Sequence, residues 1–482
     1  MYLGIDLGTS GLKAILLNER GQLVAQATAP LTVSQPQPGW SEQAPEDWWQ
    51  AMQSACAMLA KEQDLSAVRS VGLSGQMHGA TLIDAAGDVI RPCMLWNDGR
   101  SGTQCDELEH RLPDFRERSG NLAMPGFTAP KVLWVAENEP DAFQRIDKVL
   151  LPKDYLRYRL TGEFASDMSD AAGTSWLNPA ERRWDDQLLF VTGLTEANMP
   201  RLYEGPDVTG VVSAAASAAT GLPQVPVVAG ASDNAGGALG VGLIEPGQSM
   251  LSLGTSGVVF TVSDGHRAAP EQTVHAFCHA LPGRWHQMSV NLCAAECLAW
   301  LSRITGRPVP ELIAAVEDSG RTETSLTFLP YLSGERTPHN DPRARGQFLG
   351  LSVNTDAVDL TLAVLEGVTF AQVDGLHALH AAGVTPADMN LIGGGSRSAF
   401  WRQLLADALK IPTHARDGGD VGPALGAARL AQLADSKADW SEVFTQPQLM
   451  ETCRPNAHRA AYLDAQLARF RALYKVSRPL LD

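Results

Sequence analysis

The sequence predicts an α/β protein built from two similar domains that flank a cleft. Two observations carry that expectation. The tetrapeptide Gly-Thr-Ser-Gly occurs at residues 8–11 and again at residues 254–257, each time between two short apolar runs. Candidate strands and amphipathic helices then alternate along the rest of the chain, the pattern of α/β architecture. A strand–turn–strand unit repeated after about half the length points to duplicated domains. At 482 residues the chain exceeds what one hydrophobic core serves. The boundary falls near residues 245–247, which predicts domains over residues 1–245 and 246–482.

In chain order, residues 2–5 and 12–17 are apolar runs around the turn Asp6-Leu7-Gly8-Thr9-Ser10-Gly11. Residues 23–27 add a third strand through the turn at 18–21. Pro45 opens a helix with Trp48, Trp49, Met52, Ala55 and Leu59 at helical spacing, so the tryptophans are read as packing. Residues 68–73 form a strand that runs into the turn at 74–79, at the strand end where open α/β sheets place ligands. Strand, turn and strand recur at 250–253, 254–257 and 258–262. The second half continues with a helix over 291–305 and a longer one from Asp356 with Leu360, Val364, Leu365 and Val368 on one face. A strand at 389–392 then enters Gly393-Gly394-Gly395-Ser396-Arg397-Ser398 and a helix through Leu409. A last Gly-rich turn at 418–422 leads to Pro423 at a helix start.

Composition excludes several classes. Apolar residues make up 44% and charged residues 19%, as in water-soluble globular proteins. Lys and Arg number 38 against 54 Asp and Glu, a net charge of −16 that repels nucleic acid and anionic membranes. Neither is an expected partner. An anionic ligand must then be held locally by backbone N–H groups, helix N-termini and a metal ion. Seven cysteines, scattered and without a C-x-x-C pair, read as buried reduced thiols rather than disulfides or a zinc site. Asp6 interrupts any secretory apolar run, and the longest uncharged stretch, residues 208–232, is too rich in Ala, Ser, Gly and Pro for a membrane helix. A cytoplasmic protein is expected.

The chemistry concentrates in the turns. Each Gly-Thr-Ser-Gly turn offers closely spaced N–H groups and hydroxyls to a phosphate. No Walker A loop is present, so hairpins rather than a P-loop must grip the phosphates. Gly8, Thr9, Ser10 and Lys13 are the candidate ligands of the first turn, Gly254 and Thr255 of the second. Asp6, at the lip of the first turn, is a candidate Mg²⁺ ligand, directly or through water; a turn-initiating Asp is the alternative. Asp233 follows the apolar strand at 225–228 and opens a Gly/Ala-rich segment, so its carboxylate would enter the cleft as a general base, as a helix N-cap, or as both.

Longer motifs give a resemblance. Gly4-Ile5-Asp6-Leu7-Gly8-Thr9-Ser10 resembles the first phosphate loop of the actin, Hsp70 and sugar-kinase superfamily. Residues 126–134 (Gly-Phe-Thr-Ala-Pro-Lys-Val-Leu-Trp) and residues 346–366 resemble the two signatures of the FGGY carbohydrate kinases. The resemblance spans the whole chain. It implies two ribonuclease-H-like domains of the actin, hexokinase and Hsp70 ATPase type, ATP and Mg²⁺ in the cleft, a small-molecule sugar as substrate and a homodimer. Asp233 would be the catalytic base, and Gly394, Gly395 and Ser398 would meet the adenosine end of ATP.

Within the family, residues 75–79 (Gly-Gln-Met-His-Gly), 95–100, 233–237 and 332–338 are most similar to the D-xylulose-phosphorylating members. That similarity implies Met77, His78 and Asn234 as sugar ligands. Asp98 and Arg100 either line the same pocket or pair as a brace. Ribulose, deoxyketose and gluconate kinases share many of these features, whereas glycerol kinases carry a different loop at residues 76–78. An actin-like filament protein or an Hsp70-like ATPase would share the phosphate turns but has no use for the sugar loop. A sugar-sensing regulator would need a basic DNA-binding module, which the net charge opposes.

Overall fold

The computed structural model describes residues 1–417 and 422–481. The first sheet contains β1 (Tyr2–Leu7), β2 (Gly11–Leu17), β3 (Leu23–Pro30), β4 (Ser70–Gly75), β5 (Val208–Val211), β6 (Pro226–Val228) and β7 (Ala231–Ser232). Their spatial order is β5-β6-β4-β1-β2-β3, with β7 paired to β4. β1 and β2 form an antiparallel hairpin, and β4 runs parallel to β1 with Tyr2 opposite Ser70. β4 is buried along its whole length, and β1 everywhere but Asp6, as strands covered on both faces should be. The helix Pro45–Leu59 covers one face through Trp48, Trp49, Met52 and Leu59, so these tryptophans are core residues.

The second sheet contains β8 (Ser249–Leu253), β9 (Gly257–Ser263), β10 (His275–Cys278), β11 (Trp285–Asn291), β12 (Met389–Ile392), β13 (Thr413–Arg416) and β14 (Leu449–Cys453). Its order is β10-β11-β9-β8-β12-β13-β14. β8 and β9 repeat the hairpin, β11 follows antiparallel as β3 does, and β12 runs parallel to β8 as β4 does to β1. The tetrapeptide repeat is thus the visible part of a repeated topology. The two mixed α/β domains flank a cleft, with both hairpin turns at homologous strand ends.

Three details differ from the sequence reading or lie outside it. The helix expected from residue 291 begins at Ala295, because β11 runs through Asn291 and the Leu292 N–H donates to Glu335 at 2.9 Å instead of entering a helix. Cys293 therefore precedes the helix; it is free and buried, as are the other six cysteines. The Gly-rich turn at 418–422 lies, for residues 418–421, outside the described residues.

The helix Gly422–Ser436 belongs to the second half of the sequence yet packs against β1 and β4 of the first sheet and against the helix Asp233–Gly240. Glycine makes this possible. A Cβ added at Gly72 would overlap the Ala427 carbonyl, one at Gly4 the Ala424 carbonyl, and one at Gly426 the backbone of Gly236. Because helix and sheet meet backbone to backbone, Gly72→Ala is expected to destabilise the fold by about 1–3 kcal/mol. A urea midpoint unchanged from wild type would contradict this close packing.

Candidate active site

A cavity of about 460 Å³ opens between the domains. From the first domain come Met77, His78, Phe127, Asp233 and Asn234; from the second, Ser252, Ser256, His275, Arg336 and Gly393. Met77, His78, Asp233 and Asn234, far apart in sequence, are therefore brought to one wall.

Asp233 is the first residue of its helix; the cap is Ser232, whose hydroxyl accepts the Ala235 N–H at 3.4 Å. The capping alternative for Asp233 thus falls to its neighbour. Asp233 Oδ1 accepts the backbone N–H of Asn234 at 2.6 Å and its side-chain amide at 2.8 Å. That leaves Oδ2 beside the cavity with no protein partner among the described residues. Burial raises this carboxyl to about 6, outweighing the two hydrogen bonds from Asn234. A carboxylate of this strength is matched to accepting a proton near neutral pH.

Asp6 lies opposite Lys13 in the β1–β2 hairpin, and its Oδ1 is buried with no hydrogen-bond partner among the described residues. Burial first, then the charge of Asp233, raises its carboxyl to about 7, while Lys13 acts in the opposite sense. An orphaned buried oxygen is a strained arrangement for a protein alone and suits a cation. Among the described residues, no three His, Cys, Asp or Glu side chains converge on a common metal position. A Mg²⁺ ion here would rely on one carboxylate and on the phosphates it accompanies, which is its usual habit.

His78 sits at φ 69°, a left-handed conformation that a non-glycine residue adopts only when held there. The restraints are visible. Its Nδ1–H donates to the Gly173 carbonyl at 2.6 Å, and its ring lies 4.6 Å from that of Phe127. Its own carbonyl accepts from Lys131 Nζ at 3.0 Å and from the Thr128 hydroxyl at 3.2 Å. Burial pushes the imidazole down to about 3, so it is neutral, with Nε2 free to accept a hydrogen bond. Lys131, fully buried, also donates to the Gly126 carbonyl at 2.6 Å. The first signature segment is therefore the clamp on the loop that carries His78. Glu366, in the second signature, is buried against the Tyr462 hydroxyl instead, at 2.9 and 3.1 Å.

The His78 loop and the first Gly-Thr-Ser-Gly turn are joined directly. The Thr9 hydroxyl donates to Gln76 Oε1 at 3.0 Å and accepts from Trp96 Nε1 at 3.0 Å, while Gln43 Nε2 donates to the Thr9 carbonyl at 2.8 Å. Gly8 closes the turn on Gly11, and Ser10 is exposed at its tip.

Asp98 and Arg100 do not line the cavity. They form a two-pronged pair at 2.8 and 2.6 Å; Arg100 also meets Glu42 at 2.7 Å and lies 3.5 Å from the Trp40 ring, and Asp98 accepts the Ser41 N–H. The brace is the arrangement found.

In the second turn, Gly254 and Thr255 are pinned through their carbonyls by the N–H groups of Ala295 and Ala294, and Ser256 is the residue on the cavity. Gly394 has open space where a Cβ would stand, whereas Gly395 packs on Leu253 and Trp401. Ser398 caps the helix Ala399–Leu409, accepting the Trp401 N–H at 3.2 Å and donating to Glu317 at 3.3 Å. Gly393, in the same Gly-rich turn, stands at φ +85° with a Cβ position blocked by Leu253 and reaches the cavity. Arg336, His275 and Phe127 carry no site assignment from the sequence; Arg336 and Phe127 stand inside the quoted motifs, while His275 carries no local signal.

Paired hairpin turns in duplicated α/β domains, with a desolvated carboxylate on the wall between them, define the class: a phosphotransferase on the actin and Hsp70 type of ATPase fold. Comparison gives the family. Residues 1–240 match the N-terminal domain, and residues 249–434 the C-terminal domain, of the FGGY family of carbohydrate kinases. The chain is 54% identical over 483 residues to a xylulose kinase of Escherichia coli and 51% identical over 484 residues to one of Klebsiella pneumoniae, covering 100% of each chain in both cases. A crystal structure of a "xyloylose kinase" from Brucella ovis superposes with a TM-score of 0.96 at 49% identity over 99% of both chains. The chain belongs to the FGGY family, and it is an ATP-dependent carbohydrate kinase. No helix among the described residues is long and apolar enough to cross a membrane.

Proposed function

We propose that the enzyme transfers the γ-phosphoryl group of ATP to D-xylulose, giving D-xylulose 5-phosphate in pentose catabolism. The observation that carries this reading is full-length identity above half to a xylulose kinase, with Met77 and His78 and the Asp233-Asn234 pair on one cavity wall.

In this reading, residues 1–245 bind the sugar and residues 246–482 bind most of the nucleotide. Met77, neutral His78 and Asn234 orient the sugar hydroxyls. Asp233 Oδ2 accepts the proton of the attacking hydroxyl while Asn234 holds Oδ1. Gly8, Thr9, Ser10 and Lys13 from one hairpin and Gly254 and Thr255 from the other approach the phosphates. Gly394 offers bare backbone to the adenosine end, with Gly395 and Ser398 shaping that turn. Asp6 would hold Mg²⁺, which when bound offsets charge on the phosphate oxygens. Asp98 and Arg100 act at one remove, as a brace against Glu42, Ser41 and the Trp40 ring. Closing the cleft aligns the hydroxyl with phosphorus and excludes water. The family relation also suggests a cytoplasmic homodimer, which gel filtration with light scattering checks.

The test is ADP release with MgATP and a panel of D-xylulose, D-ribulose, L-xylulose, L-fuculose, gluconate and glycerol. The expected result is a dominant kcat/KM for D-xylulose that vanishes when EDTA removes the metal. A dominant value for another member of the panel overturns the substrate while leaving the kinase class in place.

A further inference from the structure

Among the described residues, Arg336 is the arginine on the cavity wall, and it has no assigned task. Its backbone is locked from both sides. Glu335, buried, accepts the N–H groups of Leu292 at 2.9 Å and Arg336 at 2.7 Å and the Asn291 amide at 3.2 Å. Thr337 exchanges hydrogen bonds with Val290, its N–H donating to the Val290 carbonyl and its hydroxyl accepting the Val290 N–H, each at 3.0 Å. The side chain is thereby aimed from the second domain into the cavity, across from the sugar loop. There its guanidinium meets His275 Nε2 at 3.5 Å and forms no ion pair among the described residues. The Phe127 ring lies 5.6 Å from that of His275 and 4.6 Å from that of His78, so the His275 contact puts Arg336 at the His78 end of the cavity. Its other N–H groups have no protein acceptor among the described residues and face the cavity, where a ligand can supply one.

The chemistry of the substrate supplies one. Resting on the D-xylulose reading above, the acceptor hydroxyl is O5. A 2-ketopentose that closes into a furanose consumes O5, so only the open chain can react. The open chain carries one polar group that accepts hydrogen bonds and cannot donate them, the C2 carbonyl. Guanidinium is the complementary group, a donor that cannot accept. The hydroxyls, which both donate and accept, suit His78 Nε2 and Asp233. We propose that Arg336 is a specificity-determining residue that donates to the C2 carbonyl of the open-chain ketose, so that the second domain reads the oxidation state of the sugar while the first reads its hydroxyls.

The test compares D-xylulose with the two pentitols formed by reducing its C2 carbonyl, xylitol and D-arabinitol, in wild type, Arg336→Gln and Arg336→Lys. Arg336→Gln is expected to lower kcat/KM for D-xylulose by about 10- to 100-fold, mainly through KM. The pentitol values should change little, so the preference for ketose collapses; Arg336→Lys, which keeps the charge but loses the fork, should fall between. Urea midpoints of the variants separate this outcome from misfolding, and a variant that misfolds leaves the Arg336→Lys comparison as the deciding one. An equal fall for ketose and pentitols, or a rise in the KM for MgATP alone, overturns the assignment. If wild type prefers another ketose, the substrate reading fails, and the same comparison with that ketose and its reduced forms decides the role of Arg336. If wild type prefers gluconate, which has no ketone, both fail.

Discussion

Asp233→Ala is expected to lower kcat by about 10²–10⁴-fold, with sugar binding retained. The reasoning is local. Among the described residues Asp233 Oδ2 has no protein partner, so truncation removes the proposed proton acceptor without opening a second hydrogen-bond network beyond the Asn234 pair. Calorimetric titration of the variant with the sugar should give an affinity near that of wild type, and single-turnover measurements should locate the loss in the chemical step. The pH profile gives a second check. The carboxyl is raised to about 6 and must be ionised to accept a proton. The log of kcat/KM should therefore fall as pH drops through about 6, with a slope that Asp233→Ala lacks. Turnover close to wild type in Asp233→Ala would end the general-base role.

Lys153→Met should cost the fold about 3–5 kcal/mol. Lys153 Nζ lies 2.8 Å from Asp154, 2.7 Å from Asp167 and 3.0 Å from Asp170, and all four side chains are fully buried. Without the ammonium group, Arg157, 2.7 Å from Asp154, is the one ion-pair partner left to the three buried carboxylates among the described residues. Burial already pushes Asp170 well above its ordinary value, so it is the group least able to stay ionised in the variant. The expected observation is a large drop in the urea midpoint, partly restored when Asp170→Asn is added. A midpoint like that of wild type would mean the cluster is already neutralised by other means.

The damage would reach the cavity. Asp167 caps the segment after it and accepts the Ser169 N–H at 2.9 Å. The Ser169 hydroxyl accepts the Ser232 N–H at 3.0 Å, next to Asp233, and Gly173 a few residues on receives the His78 imidazole. One buried charge cluster thus supports both Asp233 and the loop that carries His78.

The repeated hairpin, the apolar strands and the Gly-rich turns were legible because they are local: a period of two and a four-residue turn can be read in a short window. Asp233 was legible because it ends an apolar strand and opens a Gly/Ala segment. The clamp on His78 was not, since Lys131 bonds to carbonyls, and a backbone acceptor leaves no trace in residue identity. Asp98 and Arg100, two apart and of opposite charge, permit either pocket or brace; only the positions of Trp40, Glu42 and Ser41 decide for the brace. Arg336 was hidden for a related reason. Its orientation is set by Glu335 and Thr337 pairing with a strand more than forty residues earlier, a contact no local pattern reports.

The helix Gly422–Ser436 has a consequence for how the molecule comes apart. It is the last substantial helix of the region matched to the C-terminal family domain, yet its partners are β1, β4 and the helix carrying Asp233. Unfolding either half would strip this backbone-to-backbone contact from the other and bare Gly4 and Gly72 to water. The two domains are therefore duplicated in topology but not independent in thermodynamics: the seam between them is melted or kept as a whole, and a chain cut at the linker near residue 245 would leave the first half without its own cover.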